Sequence, residues 1–277
     1  MQIVDTHAHL YHPDETIYPM IEQPSRPPES TGTIEHLRRE AREAGVGRAV
    51  LVQTGSAYQW DNQLVGATAA ANPDWTVAVC NLNPAAAASV DELEQLVENA
   101  NVKGLRVEPT RGENALFYHA GSVRLWESAR RLGVVICAHI TQGFLGQLAR
   151  MLEQFPDVPV VLDHCAYPQV GKGIEDEIVK DVAALATHEQ LRVKLTFGVT
   201  ASKQEFPFRD THPLLRHFIE VFGPERCMWG SDFPCEHWLK KSTYTQHLDV
   251  FREELGLSPA VQETILVQTP TQLWFES

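Results

Sequence analysis

Eight short apolar runs, each followed by a longer stretch of helical character, set the strongest limit on what this chain can fold into. The runs are Ile3-Val4-Asp5, Arg48 to Gln53, Thr76 to Leu82, Val102 to Val107, Val134 to His139, Val158 to Asp163, Arg192 to Leu195 and Cys227 to Gly230. Most are continuously apolar instead of alternating, as parallel strands buried on both faces must be. Eight such units predict an α/β fold, a single-domain (β/α)8 TIM barrel over residues 1–277.

The intervening segments carry helix signals. Glu35 stands four residues before Arg39, a favourable spacing on an exposed helix face, and Gly45 offers a left-handed stop before the second strand. Ser89-Val90-Asp91-Glu92 reads as a capping box for a helix over Leu93 to Ala100. Gly133 ends a helix over Val123 to Leu132. Two segments break the rhythm, His12 to Ser30 and Gly198 to His212. Both follow strands, so both are expected at the C-terminal rim, where barrels carry their functional loops.

Charge narrows the partners. A net charge of −13 with no Lys/Arg run argues against nucleic acid. No apolar stretch is long enough to span a bilayer, and the N-terminus lacks the pattern of a secretory signal. The five cysteines (80, 137, 165, 227 and 235) form no CxxC pair. They are expected as reduced core residues of a cytoplasmic protein. Homo-oligomerisation is left open.

The chemistry-bearing residues lie at strand ends. His7 and His9 are two apart in an extended segment, so both side chains face the same way, into the barrel mouth. Two imidazoles on one wall make half of a metal site. His139 ends the fifth run, His164 follows the sixth, and Asp232 follows the eighth in Gly230-Ser231-Asp232-Phe233-Pro234. Only a barrel brings these ends to one place, so fold and site support each other. Arg106, near the end of the fourth run, presents a planar fork suited to a substrate carboxylate, or to a neighbour such as Glu108 or Asp5. Arg111, Lys203 and Arg209 are read as solvated loop charges. Of the other histidines, expected mostly at the surface, only His12 and His237 fall near site segments.

These pieces, together with Val102-Lys103-Gly104-Leu105-Arg106, Leu162-Asp163-His164, Val193-Lys194-Leu195 and Phe222-Gly223-Pro224-Glu225-Arg226, are similar to the amidohydrolase superfamily. The resemblance is to its amidohydrolase-related (amidohydrolase 2) branch, which includes 2-pyrone-4,6-dicarboxylate lactonase, fuconolactonase and sulfomuconolactone hydrolase. It implies one divalent metal ion, commonly zinc, held by His7, His9, His139 and Asp232, with His164 beside it. Arg106 stands where two-metal members carry a bridging Lys or Glu, which argues against a second ion, although Glu108 could add a ligand. The branch also holds lactonases that work without metal. The expected reaction is hydrolysis of a small cyclic ester of carboxylated or sugar-acid type, with Asp232 moving the proton and His164 steadying the carbonyl oxygen. The rival readings are a non-oxidative decarboxylase on the same barrel and an inactive binding protein.

Overall fold

The structure is a computed structural model that describes residues 2–238 and 240–276. Its eight parallel strands are β1 (Ile3–Ala8), β2 (Val46–Val52), β3 (Thr76–Asn81), β4 (Val102–Val107), β5 (Val135–Ala138), β6 (Val160–Leu162), β7 (Leu191–Lys194) and β8 (Cys227–Met228). They pair in sequence order. Backbone contacts between the ends of the sheet bring it round on itself. Asp232 N–H donates to His7 O at 2.9 Å and His9 N–H to Phe233 O at 2.8 Å. The expected TIM barrel is thus present. No helix of the described residues is long and apolar enough to cross a membrane.

The outer layer contains α1 (Ile34–Ala44), α2 (Gln63–Ala71), α3 (Ser89–Asn99), α4 (Ala120–Leu132), α5 (Leu145–Gln154), α6 (Glu177–Ala184), α7 (His212–Phe222) and α8 (Tyr244–Asp249). α1 and α4 stop at Gly45 and Gly133, whose φ of 75° and 68° are the left-handed values glycine adopts without a Cβ clash. Two local expectations fail. α3 begins at Ser89 with Ala88 as its cap, because the Ser89 hydroxyl donates to Asn83 O at 2.7 Å. Arg39 turns towards its neighbour Glu40, 3.6 Å away, instead of pairing with Glu35.

Two apolar cores result. The larger joins the outer faces of the strands to the helices. The smaller fills the barrel with Val4, Val50, Val79, Val135, Val161 and Met228, and Trp274 from the C-terminal helix joins it. A Cβ on Gly104 would lie 2.9 Å from the Trp274 ring, so this strand position needs glycine's missing side chain. Because the inside is apolar and tightly filled, polar groups have room only at the strand C-terminal ends.

Candidate active site

β1 carries His7 outright, and His9 follows at its end. A Cβ on Gly230 would sit 2.7 Å from His7 Cβ, so this glycine lets the chain leaving β8 pass tightly against β1. Asp5 holds the two ends together. Its buried carboxylate accepts from Ser231 N (2.9 Å), Ser231 Oγ (2.6 Å), Tyr244 Oη (2.9 Å) and His7 N (3.1 Å). The chain then turns through Asp232 at φ 53°, a left-handed value that Asp tolerates better than most residues. This turn aims the carboxylate at the histidines.

Three donor atoms meet there. His7 Nε2 and His9 Nε2 are 3.2 Å apart, and Asp232 Oδ1 lies 3.7 Å and 3.6 Å from them. They form the one candidate ion-binding group of His, Cys, Asp and Glu side chains found among the described residues, and all three are buried. Ligands around a tetrahedral ion at ~2.1 Å stand roughly 3.4 Å apart, so the spacing fits one small divalent cation. His9 is prepared for that role. Its Nδ1 faces Val52 O at 2.9 Å, which fixes the proton there and leaves Nε2 free. His7 needs a proton shift, because its Nδ1 meets the Lys194 ammonium at 3.2 Å, with Asp163 Oδ1 the nearby acceptor at 3.7 Å.

His139 is held apart from this trio. Its Nδ1 lies 2.8 Å from Glu108 Oε1 and its Nε2 2.5 Å from Tyr167 Oη. With both ring nitrogens occupied, His139 is not among the three converging donors. Glu108 likewise holds His139. His164 accompanies the trio, its ring 4.7 Å from His7 and its Nδ1 2.7 Å from Thr196 Oγ1.

Arg106 is 5% exposed, and its Nε donates to Asp163 Oδ2 at 3.0 Å, while Asp163 Oδ1 sits 3.1 Å from Lys194 Nζ. The expected partners Glu108 and Asp5 therefore give way to a buried carboxylate shared by two cations. Arg111 lies over the Trp60 ring, and Arg209 is 3.7 Å from Glu254. Neither of these, nor Lys203, lines the central cavity. His12 and His237 also stay outside it, and His237 is bonded to Ser25 Oγ at 3.0 Å. His36, His212 and His247 are buried, contrary to the surface expectation.

The cavity has a volume of about 340 Å³ and opens over His9, Arg106, His164 and Asp232. A larger groove of about 480 Å³ lies between α1, α2 and the loop after β1, and holds none of those four side chains. Five lining residues were not singled out from the sequence, Gly55, Ser56, Tyr167, Thr200 and Trp238, and two of them bring aromatic rings. Tyr167 ends four successive non-glycine residues with left-handed φ (His164 53°, Cys165 48°, Ala166 58°, Tyr167 64°). Each such residue costs roughly 1–2 kcal/mol. The turn stacks the Tyr167 ring on His164 at 4.8 Å. No local signal marks this turn, because Pro168 biases the residue before it towards extended backbone and not towards a left-handed φ. Trp238, from the short helix Cys235–Trp238, sits edge-on to His9 at 5.9 Å.

Burial sets the electrostatics. It lowers the His7 and His164 pKa values well below normal and brings His9 to about 3, so these rings are neutral. Burial raises Asp232 to about 7 despite the opposing charge of Arg106. A neutral imidazole cluster beside a carboxyl that exchanges protons near neutrality can bind a cation or carry a proton.

The chain belongs to the amidohydrolase family and is a hydrolase of it: the family model described as Amidohydrolase (Amidohydro_2) matches residues 4–275. Among its relatives, 4-sulfomuconolactone hydrolase of Rhizobium radiobacter is 24% identical over 275 residues, 98% of this chain and 89% of that one. Its fold follows a probable 2-pyrone-4,6-dicarboxylic acid hydrolase from Acinetobacter baumannii, solved with citric acid bound, at TM-score 0.83, 22% identity and 99% coverage of both chains. An amidohydrolase from Burkholderia multivorans with bound zinc matches at TM-score 0.78, 17% identity and 99% coverage of both.

Proposed function

We propose that this chain opens a small cyclic ester by attack of an activated water, with Asp232 as the proton carrier. The observation that supports this best is the Asp232 carboxylate, raised to about 7 and set within 3.7 Å of two neutral imidazoles at the floor of a cavity. Asp232 takes a proton from water as its oxygen bonds to the ester carbonyl carbon. The ring C–O bond then breaks, and Asp232 returns the proton to the departing oxygen. The product is one hydroxy acid, which releases a proton near neutral pH. His164 is placed to steady the carbonyl oxygen as charge develops.

One divalent ion belongs on His7, His9 and Asp232 in this reading, and zinc is the candidate because the similar Burkholderia multivorans amidohydrolase was solved with zinc bound. His139 acts from its bonds to Glu108 and Tyr167 instead of as a fourth ligand. Bound there, the ion would supply Lewis-acid activation of water. The lactone hydrolase among the relatives supports the ester substrate.

The test combines elemental analysis of protein purified without added metal with a proton-release screen over a lactone library. Expected are about one zinc per chain, one proton per turnover and no carbon dioxide. Carbon dioxide release would replace this reading with a decarboxylase. Full activity with no metal, unaffected by strong chelators, would remove the ion and leave Asp232 and the histidines to act alone.

A further inference from the structure

We infer that the cavity takes a neutral, polyhydroxylated lactone of the sugar-acid kind, and not a polycarboxylate. This rests on the cyclic-ester reading above and names its substrate class. At about 340 Å³ the cavity is near the small end of ligand sites, suited to one ring and its substituents.

The cavity's charges are already spent. Arg106 is the one Lys or Arg side chain on its described lining. Its Nε is bonded to Asp163, and Glu108, itself ionised and part of the lining, lies in its field. A dicarboxylate would bring two negative charges to one guanidinium that already has anionic company. The nearby Arg111, Arg209 and Arg26 are not on that lining; Arg111 lies on Trp60, Arg209 faces Glu254 and Arg26 is paired with Glu15 at 2.8 Å.

What the wall offers suits hydroxyl groups, which donate once and accept twice. Glu108 is 30% exposed and uses Oε1 on His139, so its carboxylate has further lone pairs to present. Those need donors, and another carboxylate has none. Glu108 fixes the His139 proton on Nδ1, so Nε2 accepts from Tyr167, and the phenol oxygen turns only lone pairs to other partners. Trp238 is on the same lining. Its ring also provides an apolar face for the C–H side of a sugar ring.

The experiment measures kcat/KM for three lactones of equal ring size, carrying free hydroxyls, one carboxylate or two. The hydroxylated lactone should lead the dicarboxylated one by at least about 10-fold, since a mispaired buried polar group is rejected strongly. Glu108→Gln should lower kcat/KM on the hydroxylated lactone by about 10- to 100-fold, mainly through KM, as loss of a charge-assisted hydrogen bond does. Trp238→Ala removes the aromatic ring face, and should cost about 2- to 10-fold on the same substrate. Circular dichroism checks that both variants fold, and the wild-type ranking stands as a test without them. A dicarboxylated lactone opened faster than the hydroxylated one, and faster still by Glu108→Gln, overturns the inference while the ester reading stands. Failure of folded enzyme, with or without added zinc, to open any lactone overturns both.

Discussion

The two sides of the barrel mouth solve opposite problems. At the β1–β8 seam, His7, His9 and Asp232 point at a common centre, and the bracing comes from behind, through Asp5, Ser231 and the Val52 carbonyl. Across the barrel, from β4 to β7, the strong groups are mostly answered by one another, with Lys194 also reaching His7 at 3.2 Å. Arg106 meets Asp163, Asp163 meets Lys194, Glu108 meets His139, and His139 meets Tyr167. The first arrangement leaves capacity for an ion or a moving proton. The second uses its capacity internally and can offer a ligand only what is left over. Chemistry is therefore expected from the seam, and substrate selection from the opposite wall.

The largest effect should come from the seam. Asp232→Asn keeps the shape of the side chain and removes its basicity. kcat should fall by about 10²–10⁴, with a far smaller change in KM, as expected for loss of a general base. Undiminished kcat in steady-state assays would move the proton carrier to the other wall and invert the comparison.

On the wall, the largest effect should be on stability instead of rate. Asp163 is fully buried between Lys194 and Arg106. Asp163→Asn leaves two buried cations short of their counter-charge, a change that typically costs about 3–5 kcal/mol. Urea denaturation should show this as a lower midpoint at unchanged slope. A loss under about 1 kcal/mol would mean that the wall is not the closed network described.

The two sides should also separate by pH in metal-free protein. His9, at about 3 when folded through burial and the Arg106 charge, titrates near 6.5 when unfolded. Its contribution to stability is full above about 6.5 and is lost as pH falls towards 3. Burial alone would raise Glu108, but its hydrogen bond from His139 and the charge of Arg106 outweigh that and hold it at about 2. Its contribution is full above about 4.5 and is lost as pH falls through 2. Asp232, raised by burial from 3.8 to about 7, works in the opposite sense between those values. The lowered His7 and His164 act with His9, so denaturation midpoints against pH should still fall in two stages. Glu108→Gln should flatten the lower one and leave the stretch between pH 6.5 and 4.5 alone. A change confined to that upper stretch would contradict the assignment.

The seam was far easier to read from sequence than the wall. Eight buried runs imposed the barrel, and the two-residue period of a strand put His7 and His9 on one face before any coordinates. Asp232 was visible because it closely follows the last apolar run. The pairings that define the wall depend on which side chains meet across the barrel, and strand-end position says nothing of that. Arg106 was matched with a substrate carboxylate, Glu108 or Asp5, while its partner Asp163 lies 57 residues away on β6's end. Tyr167 was hidden for another reason. Four left-handed residues in a row contradict the local preference of Cys, Ala and Tyr, so no propensity argument reaches that turn. Trp238 lay in a segment with no strand-end signal at all.

The smallest expected effect is the most discriminating. Tyr167→Phe deletes one hydroxyl, the donor to His139 Nε2, and leaves the stacking on His164 and the left-handed turn in place. His139 stays fixed by Glu108, so the loss should be that of a single hydrogen bond, about 0.5–1.5 kcal/mol of stability. Activity should fall by only about 2- to 10-fold. The useful measurement is the double mutant with Asp232→Asn. Tyr167 and Asp232 share no hydrogen-bond partner among the described residues, so apart from the field of the Asp232 charge at the Tyr167 phenol the two changes should add to within about 0.5 kcal/mol. Additive stabilities would keep the seam and the wall as separate units. A coupling above about 1 kcal/mol would join them into one network through the intervening His164 ring, and the division of labour between chemistry and selection would have to be abandoned.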